Sequence, residues 1–227
     1  PSQDPGSQHP HPPPPHHPPP PPRPYTGDYA GTTWNAQALF AHNTQKQKTK
    51  RAHAAKLLHS HDFVLLQETH SVPGTTQTYS PPAGSRYFAS HLTKTVGGVG
   101  ILVKQSFLER FDPIPPEDDL TPFHWEEIQP GRVACLHLRG PEGNLDLMVV
   151  YMQTGQAKSA RDTSRARVAQ AVRPPHAALT IIAGDFNYTG RGKDRFCKAT
   201  GRWSSEVPVT CEELAFRIIV ADPFQLY

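Results

Sequence analysis

At residues 179–187 the chain reads Leu-Thr-Ile-Ile-Ala-Gly-Asp-Phe-Asn, an apolar run that ends in a polar turn. The run is short and almost continuously apolar, a pattern typical of a strand that is buried on both faces of a sheet. It ends at Asp185 and Asn187, which follow the predicted strand directly. In α/β domains, the carboxyl ends of strands commonly line the ligand crevice. We therefore predict a strand at 179–183 whose end contributes to a functional site.

Five further apolar runs share this pattern and are predicted to be strands, at 32–35, 63–66, 99–103, 133–138 and 145–150. Helical spacing of apolar residues predicts helices at 44–60, 159–172 and 210–219. Strands that alternate with helices indicate a layered α/β domain. The stretches 73–84 and 111–129 are rich in Pro, Gly and Thr, and we predict that they are loops.

The 227 residues divide into an N-terminal arm, 1–24, and one domain, 25–227. The arm holds 13 of the 26 prolines, and we expect it to be extended and disordered because it has few backbone donors and little to bury. No apolar run approaches the roughly 20 residues that span a bilayer, so we expect no membrane segment. Three cysteines are too few for a disulfide scaffold and indicate an intracellular, reducing compartment. We expect a monomer.

The net charge of +3 is mild and does not by itself indicate nucleic-acid binding. Basic side chains nevertheless cluster at 46–56, 158–173 and 191–202. Each cluster alone is also typical of a solvated helix face or loop. If the partner is DNA, we expect its phosphate backbone to contact Lys48, Arg51, Arg165, Arg191 and Lys193.

The ends of four predicted strands carry the residue types that phosphate-ester hydrolysis needs: Asn35, Glu68, Tyr151, and Asp185 with Asn187. Glu68 is predicted to hold a divalent cation, and Mg²⁺ is favoured because it takes one or two carboxylates and completes its shell with phosphate oxygens and water. Asn35, Asn187 and Tyr151 are neutral donors that can stabilise transition-state charge, and Asp185 can orient or deprotonate the attacking water. Alone, each residue also fits a plainer role: the Asp-Phe-Asn segment fits a turn, and Glu68 a solvent-facing strand end.

Several segments occur in a recognisable order along residues 32–227. They are Thr33-Trp34-Asn35, Leu65-Leu66-Gln67-Glu68-Thr69-His70, Val149-Val150-Tyr151 and Gly184-Asp185-Phe186-Asn187, with weaker matches at 97–102 and 131–133. This order resembles the endonuclease/exonuclease/phosphatase superfamily. The Gln-Glu-Thr-His segment looks most like the endonuclease domains of non-LTR retrotransposons and their AP-endonuclease relatives.

The resemblance implies an α/β fold, a four-layered sandwich of two mixed β-sheets flanked by helices. It also implies a phosphodiester hydrolase dependent on Mg²⁺ or Mn²⁺, in which Glu68 binds metal with Asn35 nearby and Tyr151 assists. Asp185 and Asn187 would handle the water and the scissile phosphate. DNA is then the expected partner, and a retroelement protein would be nuclear. A phosphatase or lipid phosphodiesterase of the same superfamily, or a non-catalytic remnant that only binds, remains an alternative.

The chain departs from the family pattern at three places. Gln37 stands where many members carry an acid, and Met152-Gln153-Thr154 follows the tyrosine where many nucleases read Pro-Asn. The family ends in a Ser-x-x-Asp-His type motif, but no histidine follows His176 here. We therefore expect a domain that is truncated at its C-terminus and lacks its last strand. A chain that is inactive because the Asp-His motif is absent is then an alternative to an active enzyme.

Overall fold

The computed structural model describes residues 21–41, 44–75, 79–111, 123–152 and 158–187, together with the strand residues 196–197 and 202–203. Within these residues, two four-stranded mixed sheets stack face to face. One helix packs on the outer face of each sheet. The result is the four-layered α/β sandwich that the family resemblance implies.

The first sheet contains β1 (Gly31–Asn35), β2 (Phe63–Gln67), β3 (Ser85–Ser90) and β4 (Val99–Lys104) in the order β1-β2-β4-β3. Helix α1 (Gln45–Ser60) lies between β1 and β2 in the chain, and these two strands are parallel. Strand β4 is antiparallel to both β2 and β3. The short helix α2 (Gln105–Leu108) follows β4.

The second sheet contains β5 (His124–Gln129), β6 (Val133–Gly140), β7 (Gly143–Tyr151) and β8 (Leu179–Asp185), in that order. Strands β5, β6 and β7 are antiparallel neighbours, whereas β7 and β8 are parallel. Helix α3 (Lys158–Ala171) connects the parallel pair. The short strands β9 (Phe196–Cys197) and β10 (Arg202–Trp203) form a separate antiparallel ribbon.

Side chains of the central strands alternate between two apolar layers. On β2, Phe63 and Leu65 enter the core between the sheets, while Val64 and Leu66 pack beneath α1. The same alternation on β7 sends Leu145, Leu147, Val149 and Tyr151 inward and turns Met148 and Val150 toward α3. Because both faces of these strands are covered, they carry unbroken apolar runs, at 63–66 on β2 and at 147–150 on β7, rather than an alternating pattern.

The structure differs from the sequence-based prediction at the edge of each sheet. Strand β3 was not predicted, and the stretch 111–129, predicted to be a loop, contains β5. His124 and Glu126 on β5 are exposed, and only Trp125 between them packs against the inter-sheet core. A register irregularity between Glu126 and Gln129 breaks the alternation further. An edge strand of this kind has no apolar run that could reveal it.

Residues 23–25 pair with the beginning of β7. Asn144 N donates to Arg23 O at 2.8 Å, and Tyr25 N donates to Asn144 O at 2.9 Å. Tyr25 is buried in the core between the sheets. Contacts with the sheet therefore include Arg23 and Pro24.

The arm before residue 21 and the helix predicted at 210–219 lie outside the described residues. In the described ranges, no helix is long and apolar enough to cross a bilayer.

Gly98→Ala is expected to unfold more easily than a matched glycine substitution elsewhere. Gly98 has φ +82°, and an added Cβ would lie 2.4 Å from Thr69 Oγ1 and 3.1 Å from His70 N. Gly84 has a similar φ of +70° but nothing within 4 Å of an added Cβ. Gly84→Ala should cost about 1–2 kcal/mol for the backbone conformation alone, and Gly98→Ala about 1–3 kcal/mol more. Urea unfolding measures both, and equal losses would contradict the tight packing at Gly98.

Candidate active site

Two parallel strand pairs deliver the predicted site residues to one edge of the sandwich. In the first sheet, Asn35 at the end of β1 is paired with Gln67, and Glu68 follows directly. In the second sheet, Tyr151 at the end of β7 is paired with Asp185 at the end of β8. Because parallel neighbours end at the same edge and the sheets stack face to face, all four side chains gather there.

Asn35 joins the two sheets at this edge. Its Nδ2 atom donates to Glu68 Oε1 at 3.2 Å and to Asp185 Oδ2 at 2.8 Å. Its Oδ1 atom accepts a hydrogen bond from Gln37 N at 3.2 Å. A single side-chain amide therefore holds carboxylates from separate sheets around one point.

Tyr151 lies against the same glutamate. Burial and a hydrogen bond to the Glu68 carboxylate raise the pKa of Tyr151 to about 12. The Arg132 guanidinium opposes this shift, and its Cζ atom lies 4.9 Å from the centroid of the Tyr151 ring. The phenol is therefore protonated at neutral pH and available as a hydrogen-bond donor.

The turn after β8 fixes Asp185. Asn187 N donates to Asp185 Oδ1 at 2.9 Å, and Met152 N donates to Asp185 O at 2.8 Å. The Asn187 side chain donates through Nδ2 to Met152 O. The Asn187 side chain thus connects the ends of β7 and β8, and its backbone N–H positions the carboxylate of Asp185.

The backbone around the site is unusual in conformation. In the part of the chain that the structure describes, five residues other than glycine have a positive φ, between 45° and 72°, and all lie in the segments that carry the site: Gln37, Ala38, Glu68, His70 and Asn187. Hydrogen bonds connect the segment after β1 with the segment at the end of β2. Ala36 N donates to Gln67 O at 2.8 Å, and Ala38 N donates to Glu68 O at 2.7 Å. Glu68 is therefore held in a left-handed conformation by its neighbours rather than by its own preference.

Two cations close to the carboxylates were not predicted to be site residues. Lys50 Nζ donates to Ala36 O at 2.9 Å and also to Gln37 O. Burial lowers the pKa of Lys50, as does Lys46, while the charge of Glu68 opposes both. Arg132 is the second. Pairing of β6 with β7 would have placed it next to Tyr151, because Val133 is opposite Val150 in that hairpin.

The basic residues predicted to contact DNA differ in their placement. Lys48 is exposed on the first turn of α1. Burial raises the pKa of Tyr79, and Arg51 lies close enough for its charge to oppose that rise. Arg165 does not fit the prediction, since it is 4% exposed and donates to Asp162 at 2.6 Å. It lies three and seven residues before the buried Val168 and Val172, on the face of α3 that packs on the sheet. Arg191 and Lys193 lie outside the described residues.

Comparison with known proteins supports the family expected from the motifs. Residues 32–209 match the endonuclease/exonuclease/phosphatase family. A stretch of 130 residues is 33% identical to the transposon TX1 uncharacterized 149 kDa protein of Xenopus laevis. That match covers 57% of this chain and 9% of the transposon protein, so the chain spans a small part of this relative's length.

Two solved structures share the fold. The AP endonuclease LMAP from Leishmania major matches with a TM-score of 0.57 and 20% identity, over 84% of this chain and 65% of that one. The endonuclease domain of TRAS1, a telomere-specific non-LTR retrotransposon, matches with a TM-score of 0.50 and 14% identity, over 86% and 71%. Fold, motif order and the match over residues 32–209 agree. The chain therefore belongs to the endonuclease/exonuclease/phosphatase family.

Proposed function

We propose that the chain is the DNA endonuclease domain of a retroelement protein and that it cleaves phosphodiester bonds with the help of Mg²⁺. The observation that carries this proposal is the pair of carboxylates, Glu68 and Asp185, joined by one amide of Asn35. The 33% identity to a transposon protein favours the retroelement role over other members of the family. Such a role requires access to chromosomal DNA, so the proposal includes a nuclear location.

The donor set fits a hard divalent cation. Two carboxylates converge from separate sheets with an amide between them, and Mg²⁺ prefers oxygen ligands of this kind, Mn²⁺ being the substitute. Glu68 would hold the ion, with Asn35 next to it. A half-turn of the Asn35 amide exchanges its oxygen and nitrogen, and a cation would favour the oxygen on the carboxylate side. When bound, the cation polarises a phosphoryl oxygen and stabilises the leaving group.

Side chains of the site would activate the water and stabilise the charge that develops on the phosphate. Asp185, fixed by the backbone N–H of Asn187, is placed to orient a water or accept its proton. Tyr151, whose pKa is raised to about 12, remains a donor that can stabilise negative charge on the phosphate. Arg132 and Lys50 place positive charge beside the carboxylates, where an anionic substrate must approach.

Exposed lysines at the start of α1 favour a polyanionic substrate. Lys46 and Lys48 are exposed, and Lys50 of the next turn contacts the backbone that follows Asn35. The first turns of α1 thus place positive charge on the rim of the site. Phosphates of a nucleic-acid backbone can occupy this rim while the scissile phosphate lies between Glu68 and Asp185.

Glu68→Gln is expected to reduce nicking of supercoiled plasmid in Mg²⁺ by at least about a hundredfold, because the cation loses its charged ligand. Glu109→Gln is the matched control, since Glu109 is exposed beyond β4, away from the edge that carries the site. The control variant should nick at the rate of the unmodified chain. A chain without Mg²⁺-dependent nicking before substitution would contradict the enzymatic proposal and leave a protein that only binds.

Substrate class is tested by comparing plasmid nicking with release of phosphate from inositol phosphates and with cleavage of sphingomyelin. We expect Mg²⁺-dependent turnover of DNA alone, because the lysine-bearing rim suits a chain of phosphates. Turnover of either other substrate, lost in Glu68→Gln, would favour the phosphatase or lipid phosphodiesterase alternative.

Lys48→Gln is expected to weaken DNA binding uniformly across sequences and to lower the slope of log K against log salt by about one, the loss of one phosphate contact. Lys56→Gln removes the same charge about 12 Å further along α1 and should leave the slope unchanged. Fluorescence anisotropy between 50 and roughly 200 mM salt measures both. Equal slopes for the two variants would move the DNA away from the start of α1.

A further inference from the structure

Outside the candidate active site, a cluster of side chains of the types that bind metals lies on the outer face of the second sheet. His124, Glu126 and His137 each offer one nitrogen or oxygen atom, and these atoms lie within 4.8 Å of one another. Strand β5 supplies His124 and Glu126, which are two residues apart and therefore share a face. His137 of β6 stands opposite His124 in register, and the two ring centroids are 5.2 Å apart.

Hydrogen bonds already orient His137 as they orient metal-bound histidines. Its Nδ1 atom donates to Asp146 Oδ1 at 2.7 Å, and its Nε2 atom lies 3.1 Å from Glu126 Oε2. Asp146 is 1% exposed and accepts from Arg173 Nε at 2.7 Å and Nη2 at 2.5 Å. Histidines that bind metals almost always donate their other ring N–H to a carboxylate, a backbone carbonyl or water, and Asp146 supplies the carboxylate here.

We propose that His124, Glu126 and His137 bind a Zn²⁺ ion, with Asp146 and Arg173 supporting His137 from behind. Zinc takes imidazole nitrogen together with carboxylate oxygen, and a set of two histidines and one glutamate leaves a fourth position for water. Mg²⁺ selects oxygen ligands. Zn²⁺ would therefore bind at this site, and Mg²⁺ at the carboxylates of Glu68 and Asp185.

The overlapping group of Cys135, His137 and Asp146 is the less suitable alternative. Cys135 and Asp146 are buried, and Asp146 already accepts hydrogen bonds from His137 and Arg173. Burial raises the pKa of the Cys135 thiol well above its usual range, which opposes formation of the thiolate that binds metals. His124 and Glu126 are exposed, so an ion can reach them and their side chains are able to close around it.

This site is separate from the proposed catalytic site. Asp146 lies five residues before Tyr151 on β7, which corresponds to about 17 Å along the strand. The two residues also face opposite sides of the sheet, since Tyr151 enters the core between the sheets. A zinc ion here would join the edge strand β5 to β6 and stabilise the folded chain without touching the carboxylates that act on phosphate.

The test is zinc binding by the full chain, measured by calorimetry in excess Mg²⁺ so that the oxygen-ligand site is already filled. Co²⁺ serves as a second probe, because its visible absorption reports nitrogen ligands and a four-coordinate geometry. His124→Gln should weaken zinc binding at least about tenfold, the loss that removal of an outer partner alone can cause. His124 is exposed, so this variant should fold, and circular dichroism checks that it does.

Two further variants make the outcome decisive. His59→Gln removes an exposed histidine from α1 and should leave zinc affinity unchanged. A chain with glutamine at His9, His11, His16 and His17 should also bind zinc as tightly as the unmodified chain. Its melting temperature should be about 5–10 °C higher at zinc concentrations near a hundred times Kd than without zinc. Zinc binding that disappears in the arm variant but persists in His124→Gln would overturn the proposal. So would the absence of zinc binding in the unmodified chain.

Discussion

One amide nitrogen connects the two sheets at the edge where the candidate site residues gather. Because Nδ2 of Asn35 donates to both Glu68 and Asp185, carboxylates from separate sheets face a common point. Two carboxylates this close repel each other unless hydrogen bonds and positive charge offset the repulsion. Asn35 supplies the hydrogen bonds, and Lys50 and Arg132 supply the charge. The geometry of the site therefore depends on how the sheets stack, and so on the apolar core between them.

The left-handed residues around the site indicate where the fold stores strain. Each such residue other than glycine costs on the order of 1–3 kcal/mol, and it persists only where its surroundings over-determine the conformation. Here the surroundings are the hydrogen bonds between the segments after β1 and β2, and the contacts of Gly97 and Gly98 with His70 and Thr69. Among the described residues, these conformations lie in the segments that follow β1, β2 and β8, which is typical of a site whose side chains must be placed against their local preference.

Burial explains which parts of the fold the sequence could predict. Strands β2 and β7 are buried on both faces and carry apolar runs, and their ends locate Glu68 and Tyr151 without coordinates. The runs before Asn35 and Asp185 belong to β1 and β8, which are partly exposed but still long enough to be recognised. Strands β3 and β5 lie at sheet edges, where half of each strand faces water and the apolar signal disappears. Arg165 was assigned to the surface because its charge was counted without the helical register that buries it. Arg132 could be placed beside Tyr151 only after the pairing of β6 with β7 was known.

The pairing of Arg23 and Tyr25 with Asn144 sets where the domain connects to whatever precedes it. Asn144 lies at the beginning of β7, about 23 Å along the strand from Tyr151. Arg23 therefore lies at the end of the sandwich opposite the carboxylates. A fluorophore, an affinity tag or a surface anchor attached at Arg23 would be held at the end of β7 away from Glu68 and Asp185.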